Sequence, residues 1–181
     1  MVYMFLANGF EEVEALAPLD LLRRSGVKVT TVGIGGEYIT GSHGITVKAD
    51  VKDKKVKFED IEMVILPGGM PGTTNLDASE TVHKALDLAK EQDAYICAIC
   101  AAPMILGKRG DLKGKDAVCY PGFEEYLDGA KLHPREVTCV SAGKTVTARG
   151  MGVAVEFGLC LVAALCGEAK ADELRHSTIA D

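Results

Sequence analysis

Ala94-Tyr95-Ile96-Cys97-Ala98-Ile99-Cys100-Ala101-Ala102-Pro103 is an apolar run that passes, without a break, from strand-forming residues into helix-forming ones. Cys100 falls at the junction. Small residues on both sides of it permit the sharp strand-to-helix turn of a nucleophile elbow. The start of the following helix favours the thiolate over the thiol, so on this reading Cys100 is reactive at neutral pH. The other reading makes Cys100 a small buried hydrophobe, the role expected for Cys119, Cys139, Cys160 and Cys166 in their apolar runs. Cys97 and Cys100 also have the C-x-x-C spacing of a redox pair. Cys97, however, is embedded in the strand and should point into the core, which argues against a dithiol couple.

Outward from this elbow, short apolar runs rich in Val and Ile alternate with longer amphipathic ones, the pattern of βαβ units. Strands are expected at Val2 to Ala7, Val27 to Val32, Met63 to Leu66, Ala94 to Ile99, Ala117 to Cys119, Val137 to Val140 and Thr145 to Thr147. The clearest helix, Ser79 to Gln92, places Val82, Ala85, Leu86 and Ala89 on one stripe, with Asp77 and Glu80 as a capping box. A second helix covers Glu12 to Ser25. It contains Pro18, so either it kinks there or Glu14 lies in its first turn. A third begins near Met151 and stops at Gly167. The glycine-rich stretch from Gly33 to Lys57 reads as a hairpin excursion. The alternation predicts an α/β fold: an open, doubly wound, mostly parallel sheet sandwiched by helices, with ligands at the carboxyl ends of the strands.

The chain has 181 residues and a net charge of −6, in keeping with one domain spanning residues 1–181. No basic block neutralises a phosphate backbone, so nucleic acid binding by bulk electrostatics is not expected. The longest apolar stretch, Phe157 to Gly167, is short of the roughly 20 residues that span a bilayer. The apolar opening lacks the basic start and cleavage site of a signal peptide, which points to a cytoplasmic protein with reduced cysteines rather than a disulfide framework.

Two glycine-rich turns accompany the elbow. Leu66-Pro67-Gly68-Gly69-Met70-Pro71-Gly72 follows a strand, and its backbone N–H groups could approach an oxyanion. Gly150 and Gly152 follow Arg149 at a later strand-to-helix join. Glu14, in the acidic cluster Glu11, Glu12 and Glu14, is flanked by the apolar Val13 and Ala15. Held near a thiolate, its carboxyl would have a raised pKa suited to proton transfer. His43, His83, His133 and His176 show no metal-ligand spacing and are expected at the surface, so no metal site is anticipated. No phosphate-cradling glycine motif occurs, and nucleotide cofactors lose support.

Together, Gly9-Phe10-Glu11-Glu12-Val13-Glu14, Leu66-Pro67-Gly68-Gly69, Ala98-Ile99-Cys100-Ala101-Ala102-Pro103 and Thr147-Ala148-Arg149-Gly150 resemble the ThiJ/PfpI superfamily. The nearest branch is that of the parkinsonism-associated deglycase, and the likeness runs in order along nearly the whole chain. The resemblance implies a flavodoxin-like sandwich, usually a homodimer, with Cys100 as nucleophile and Glu14 as its carboxyl partner. It further implies an oxyanion pocket from the backbone of Gly69 and Ala101, with Gly68 and Tyr120 alongside. Apart from the resemblance, His43 in the turn Gly41-Ser42-His43-Gly44 is within reach of an anion across a dimer interface. Members of this branch are described as glutathione-independent glyoxalases, deglycases, redox sensors and chaperones, and the enzymes need no cofactor.

Two departures matter. Ala101 follows the cysteine where protease-like members have histidine, which excludes a Cys-His peptidase dyad there. Tyr120 stands where animal members have a histidine near the site, leaving proton transfer mainly to Glu14. The leading expectation is conversion of a 2-oxoaldehyde such as methylglyoxal, or its thiol or amine adducts, to a 2-hydroxy acid. An oxidative-stress sensor or redox-regulated chaperone acting through oxidation of Cys100 is the second. A binding module that keeps the fold without the chemistry is the third.

Overall fold

The computed structural model describes residues 1–180, so Asp181, the last residue of the expected domain, lies outside the described residues. A seven-stranded sheet forms the centre, built from β1 (Val2–Leu6), β2 (Val29–Gly33), β5 (Val51–Lys52), β6 (Met63–Leu66), β7 (Tyr95–Ile99), β10 (Cys139–Ala142) and β11 (Thr145–Ala148). Its order is β10-β11-β7-β6-β1-β2-β5, parallel throughout except for the edge pair β10 and β11. Between β2 and β5 the chain makes the expected hairpin, β3 (Tyr38–Thr40) with β4 (Thr46–Lys48). The same excursion also supplies β5, an edge strand that the sequence reading did not separate from it.

Alternation along each buried strand divides the core into two layers. Tyr3, Phe5, Ile96 and Ala98 enter one layer, with α3 (Glu80–Glu91) and α4 (Pro103–Lys108). Val2, Met4, Leu6, Cys97 and Ile99 enter the other, with α1 (Glu12–Arg24), α5 (Ala154–Cys166) and α6 (Glu168–Thr178). Both faces are covered, as a parallel sheet requires. Helix α1 continues through Pro18 and places Glu14 in its first turn, deciding between the two expected outcomes. Gly158 of α5 lets the two helices approach closely, since a Cβ there would lie 3.0 Å from the Pro18 Cα.

Several local expectations are corrected. Residues 116–119 form only a two-residue strand, β8 (Asp116–Ala117), paired with β9 (Lys131–Leu132) outside the main sheet. No capping box precedes α3: Ser79 is the N-cap without a side-chain hydrogen bond, and the Asp77 carboxylate instead accepts from Lys108 at 2.8 Å. Asp77 closes α2 (Gly72–Asp77), a short helix that was not anticipated, as α6 was not. His83 is not a solvated surface group. Its ring is partly buried between the Asp77 carbonyl at 2.7 Å and Arg109 at 3.0 Å. His176 belongs to α6 rather than to an irregular tail. Among the described residues no helix is long and apolar enough to cross a membrane.

Candidate active site

Strand β1 leads to one side of the sheet through β2, whereas β6 leads to the other through β7. The carboxyl ends of β1, β6 and β7 therefore meet where the winding reverses, which opens a crevice. Each end contributes part of the site.

Cys100 follows β7 directly and has φ +66°, the left-handed region that non-glycine residues rarely occupy. Its backbone is held on both sides, N–H to the Ala148 carbonyl at 2.9 Å and carbonyl to the Tyr120 N–H at 2.8 Å. These bonds help sustain a conformation costing on the order of 1–3 kcal/mol. This is the elbow expected from the sequence. The N–H groups of Gly69 and Ala101 point at the sulfur, the first from the turn after β6 and the second from the residue after the elbow.

Glu14 enters from α1 and is 1% exposed. Its Oε2 accepts the Gly68 N–H at 3.0 Å, and its carboxylate accepts the Cys100 thiol. Glu11 fixes the start of the helix as N-cap, accepting the Glu14 N–H at 2.7 Å. The space between these groups depends on Gly68. A Cβ there would fall 2.5 Å from Glu14 Oε2 and 2.6 Å from the Cys100 Cβ. Only glycine brings this loop to both groups.

Burial pushes the Glu14 carboxyl up to about 7, with the charge of Glu11 adding to it and the hydrogen bonds from Cys100 and Gly68 opposing it. Burial likewise pushes the Cys100 thiol up to about 12, and the adjacent Glu14 charge acts in the same direction. The start of the following helix and the N–H groups of Gly69 and Ala101 pull the other way, toward the thiolate expected from the sequence. The two side chains titrate as a pair. Once the pair has lost one proton, an S–H faces a carboxylate, and transfer of that proton gives a thiolate facing a carboxylic acid.

The remaining expected residues are placed differently. The Tyr120 ring is half exposed and packs beside Gly150, whose Cβ position lies 3.2 Å from the ring and 3.8 Å from Glu14 Oε1. It forms a wall of the site. Tyr120 and Gly150, with Arg135 and Thr138, line a cleft of about 250 Å³ at this edge. The His43 side chain stays largely exposed. At the tip of the hairpin it meets carboxylates, with its N–H on Glu12 Oε1 at 2.8 Å and its ring 3.1 Å from Glu12 Oε2. Burial opposes the charge on Glu12, but these bonds and the Ile45 N–H hold its carboxyl below the usual range.

Glu11, Glu12 and His43 bring one possible ligand atom each within 4.8 Å of one another, a grouping that residue spacing did not disclose. The Glu12 oxygens are already taken up in anchoring the hairpin. Arg149 does more than precede a glycine-punctuated join. Its guanidinium gathers the carbonyls of Val137, Cys119, His133 and Pro134 at 2.6–3.1 Å, fixing the loops behind Tyr120.

The cysteines divide further. Cys97 and Cys119 are buried as expected, whereas Cys139 and Cys160 are half-buried and Cys166 is exposed at the end of α5. Burial raises the Cys97 thiol far above its ordinary value, consistent with a core side chain rather than half of a redox couple with Cys100.

A family model described as "DJ-1/PfpI family" matches residues 1–164. Protein dj-1beta of Drosophila melanogaster is 35% identical over 172 residues, covering 94% of this chain and 92% of the fly protein. Deglycase PH1704 of Pyrococcus horikoshii is 32% identical over 154 residues, 82% of this chain and 90% of that protein. The structure of oxidized DJ-1 from Toxoplasma gondii superposes with a TM-score of 0.89 at 32% identity, covering 98% of this chain and 97% of that one. A match of this extent, on a sheet of the same architecture, means that the chain belongs to the DJ-1/PfpI family.

Proposed function

We propose that this protein is a cofactor-independent glyoxalase or deglycase, converting small 2-oxoaldehydes, or their thiol and amine adducts, to 2-hydroxy acids. The observation that carries the reading is the buried Glu14 carboxylate accepting the Cys100 thiol, with a pKa of about 7. A group of that acidity exchanges protons readily at neutral pH. Mere oxidation of a cysteine needs no such partner. The name of the Pyrococcus relative supports the same class of activity.

In the proposed cycle Glu14 takes the thiol proton as the Cys100 sulfur attacks the aldehyde carbon of methylglyoxal. The N–H groups of Gly69 and Ala101 receive the developing oxyanion, which becomes the hydroxyl of a hemithioacetal. Glu14 then removes the C1 proton to leave an enediolate, the hydroxyl proton passes from the C1 oxygen to the C2 oxygen, and Glu14 returns its proton to C2. The product is a thioester of lactate on Cys100. Water attacks its carbonyl, the C–S bond breaks, and lactate leaves as the thiol regains its proton. A glycated thiol or amine enters the same sequence after release of its oxoaldehyde. Gly68 keeps the space between acid and sulfur, while Tyr120 walls the pocket and contributes no base.

The protein is further proposed to act as a single ThiJ/PfpI-type domain and to assemble as a homodimer, as the sequence resemblance implies. A sensor acting through Cys100 ranks lower, because oxidation of a cysteine makes no use of a buried carboxyl beside it. The testing experiment is incubation of the purified protein with methylglyoxal in glutathione-free buffer, followed by chromatographic detection of lactate. Lactate accumulating over many turnovers per protein chain is expected. Lactate no higher than in a protein-free blank would overturn the reading.

A further inference from the structure

Cys139 and Cys160 lie in different elements, and the fold brings them together. The register pairs Cys139 of β10 with Ala148 of β11, which in turn pairs with Ile99 of β7. Directly paired residues share a face of the sheet, so Cys139 stands on the same face as Ile99 and Cys97, the face covered by α5. Cys160 projects from α5 onto that layer. Both sulfurs are half-buried and pack against the same core.

The two thiols are close enough to share one proton, which holds the Cys160 thiol below its ordinary value and the Cys139 thiol above it. Cys160 also lines a surface cleft of about 240 Å³ with Ser141, Glu156 and Arg175, so a small solute reaches its sulfur from solvent. Ionisable thiol, adjacent second thiol and access are the requirements of a reactive dithiol. Cys97 and Cys119 are buried, and Cys100 faces Glu14 instead of a second thiol.

We propose that Cys139 and Cys160 form a dithiol redox site separate from Cys100, which a peroxide closes to an intrachain disulfide. The Cys160 thiolate attacks one peroxide oxygen and the O–O bond breaks. The leaving hydroxide takes a proton to become water, and Cys160 becomes a sulfenic acid. Cys139 then attacks the Cys160 sulfur. The S–S bond forms, the S–O bond breaks, and the departing hydroxide takes the Cys139 proton as a second water. The two thiols are oxidised and one peroxide is reduced. The resulting bond would fasten the edge strand β10 to α5. It would also fix Thr138, whose carbonyl accepts the Arg149 N–H at 3.0 Å beside the cleft at Tyr120. This inference does not rest on the glyoxalase reading.

The test treats the full-length protein with limiting hydrogen peroxide, alkylates the remaining thiols, and maps an unreduced digest by mass spectrometry. The peptides holding Cys139 and Cys160 are expected to be joined and to separate on treatment with dithiothreitol. In a Cys139→Ser variant Cys160 should stop at a sulfenic acid that dimedone traps. The proposal is overturned if both cysteines are recovered alkylated while Cys100 is oxidised. It is also overturned if Cys160 joins a different cysteine, or if it passes to sulfinic acid with Cys139 still free.

Discussion

A Glu14→Gln variant is expected to convert methylglyoxal about 100- to 10,000-fold more slowly than the parent protein, the range of a lost general acid–base group. Gln retains the shape and can still accept the Gly68 N–H, so the fold and the approach of Gly68 to the site are preserved. It cannot take a proton from sulfur or carbon. Its effect on the thiol should have the opposite sign. The Glu14 charge is one of the influences raising the Cys100 pKa, and its removal lets the sulfur ionise more readily. Alkylation of Cys100 by iodoacetamide at pH 8 should therefore be as fast as in the parent or faster. Slow turnover with slow alkylation would indicate a distorted site instead.

The same substitution affects stability in a predictable direction. Glu14 titrates near 7 in the folded protein against 4.5 for the unperturbed group, so the native state binds more protons than the unfolded state between those values. Stability is therefore lost as pH rises through this window, by about 3 kcal/mol once Glu14 is fully ionised. Thermal denaturation should show Glu14→Gln more stable than the parent at pH 8 and nearly equal to it at pH 4. A more stable variant that has lost turnover is the behaviour of a residue retained for chemistry at a cost in stability.

A Cys100→Ser variant should lose more than about 1,000-fold in turnover, to the level of the uncatalysed reaction, as removal of a covalent nucleophile does elsewhere. The hydroxyl is a far weaker acid than the thiol and gives Glu14 little to deprotonate. The smaller oxygen also sits further from the Gly69 and Ala101 N–H groups that face the sulfur. Fold should survive, since the elbow is held by backbone bonds to Ala148 and Tyr120. Rates of lactate formation measured alongside circular dichroism check both parts. Unchanged turnover in a folded Cys100→Ser protein would remove the covalent step from the account.

The elbow was legible because its signal is local. A β-rich run ends in small residues before Pro103, and the turn forms where that composition changes. Helix α3 was legible through the regular spacing of Val82, Ala85, Leu86 and Ala89, all of which are buried. Helix α2 was not, because Gly72, Thr73, Thr74 and Asn75 are weak helix formers, and the segment forms a helix while packed against β1. Gly167 reads as a stop, yet it is also the hinge from α5 into the polar α6. Glu14 and Cys100 could be paired through the family resemblance. Their protonation could not be read locally, since burial and mutual charge arise only when α1, β6 and β7 converge. Distance in sequence likewise hid the contact of Glu12 with His43 and that of Cys139 with Cys160.

The central claim is that Cys100 and Glu14 act as one proton-sharing pair, and the pH dependence of kcat/KM for methylglyoxal tests it most directly. The free enzyme becomes competent when the pair loses its first proton. The account therefore predicts that kcat/KM rises through an apparent pKa of about 7 and stays level through pH 9, with the limb at 7 absent from Glu14→Gln. A profile flat across pH 7 that rises only in the ordinary thiol range near 8.5, and does so equally in both proteins, would contradict it.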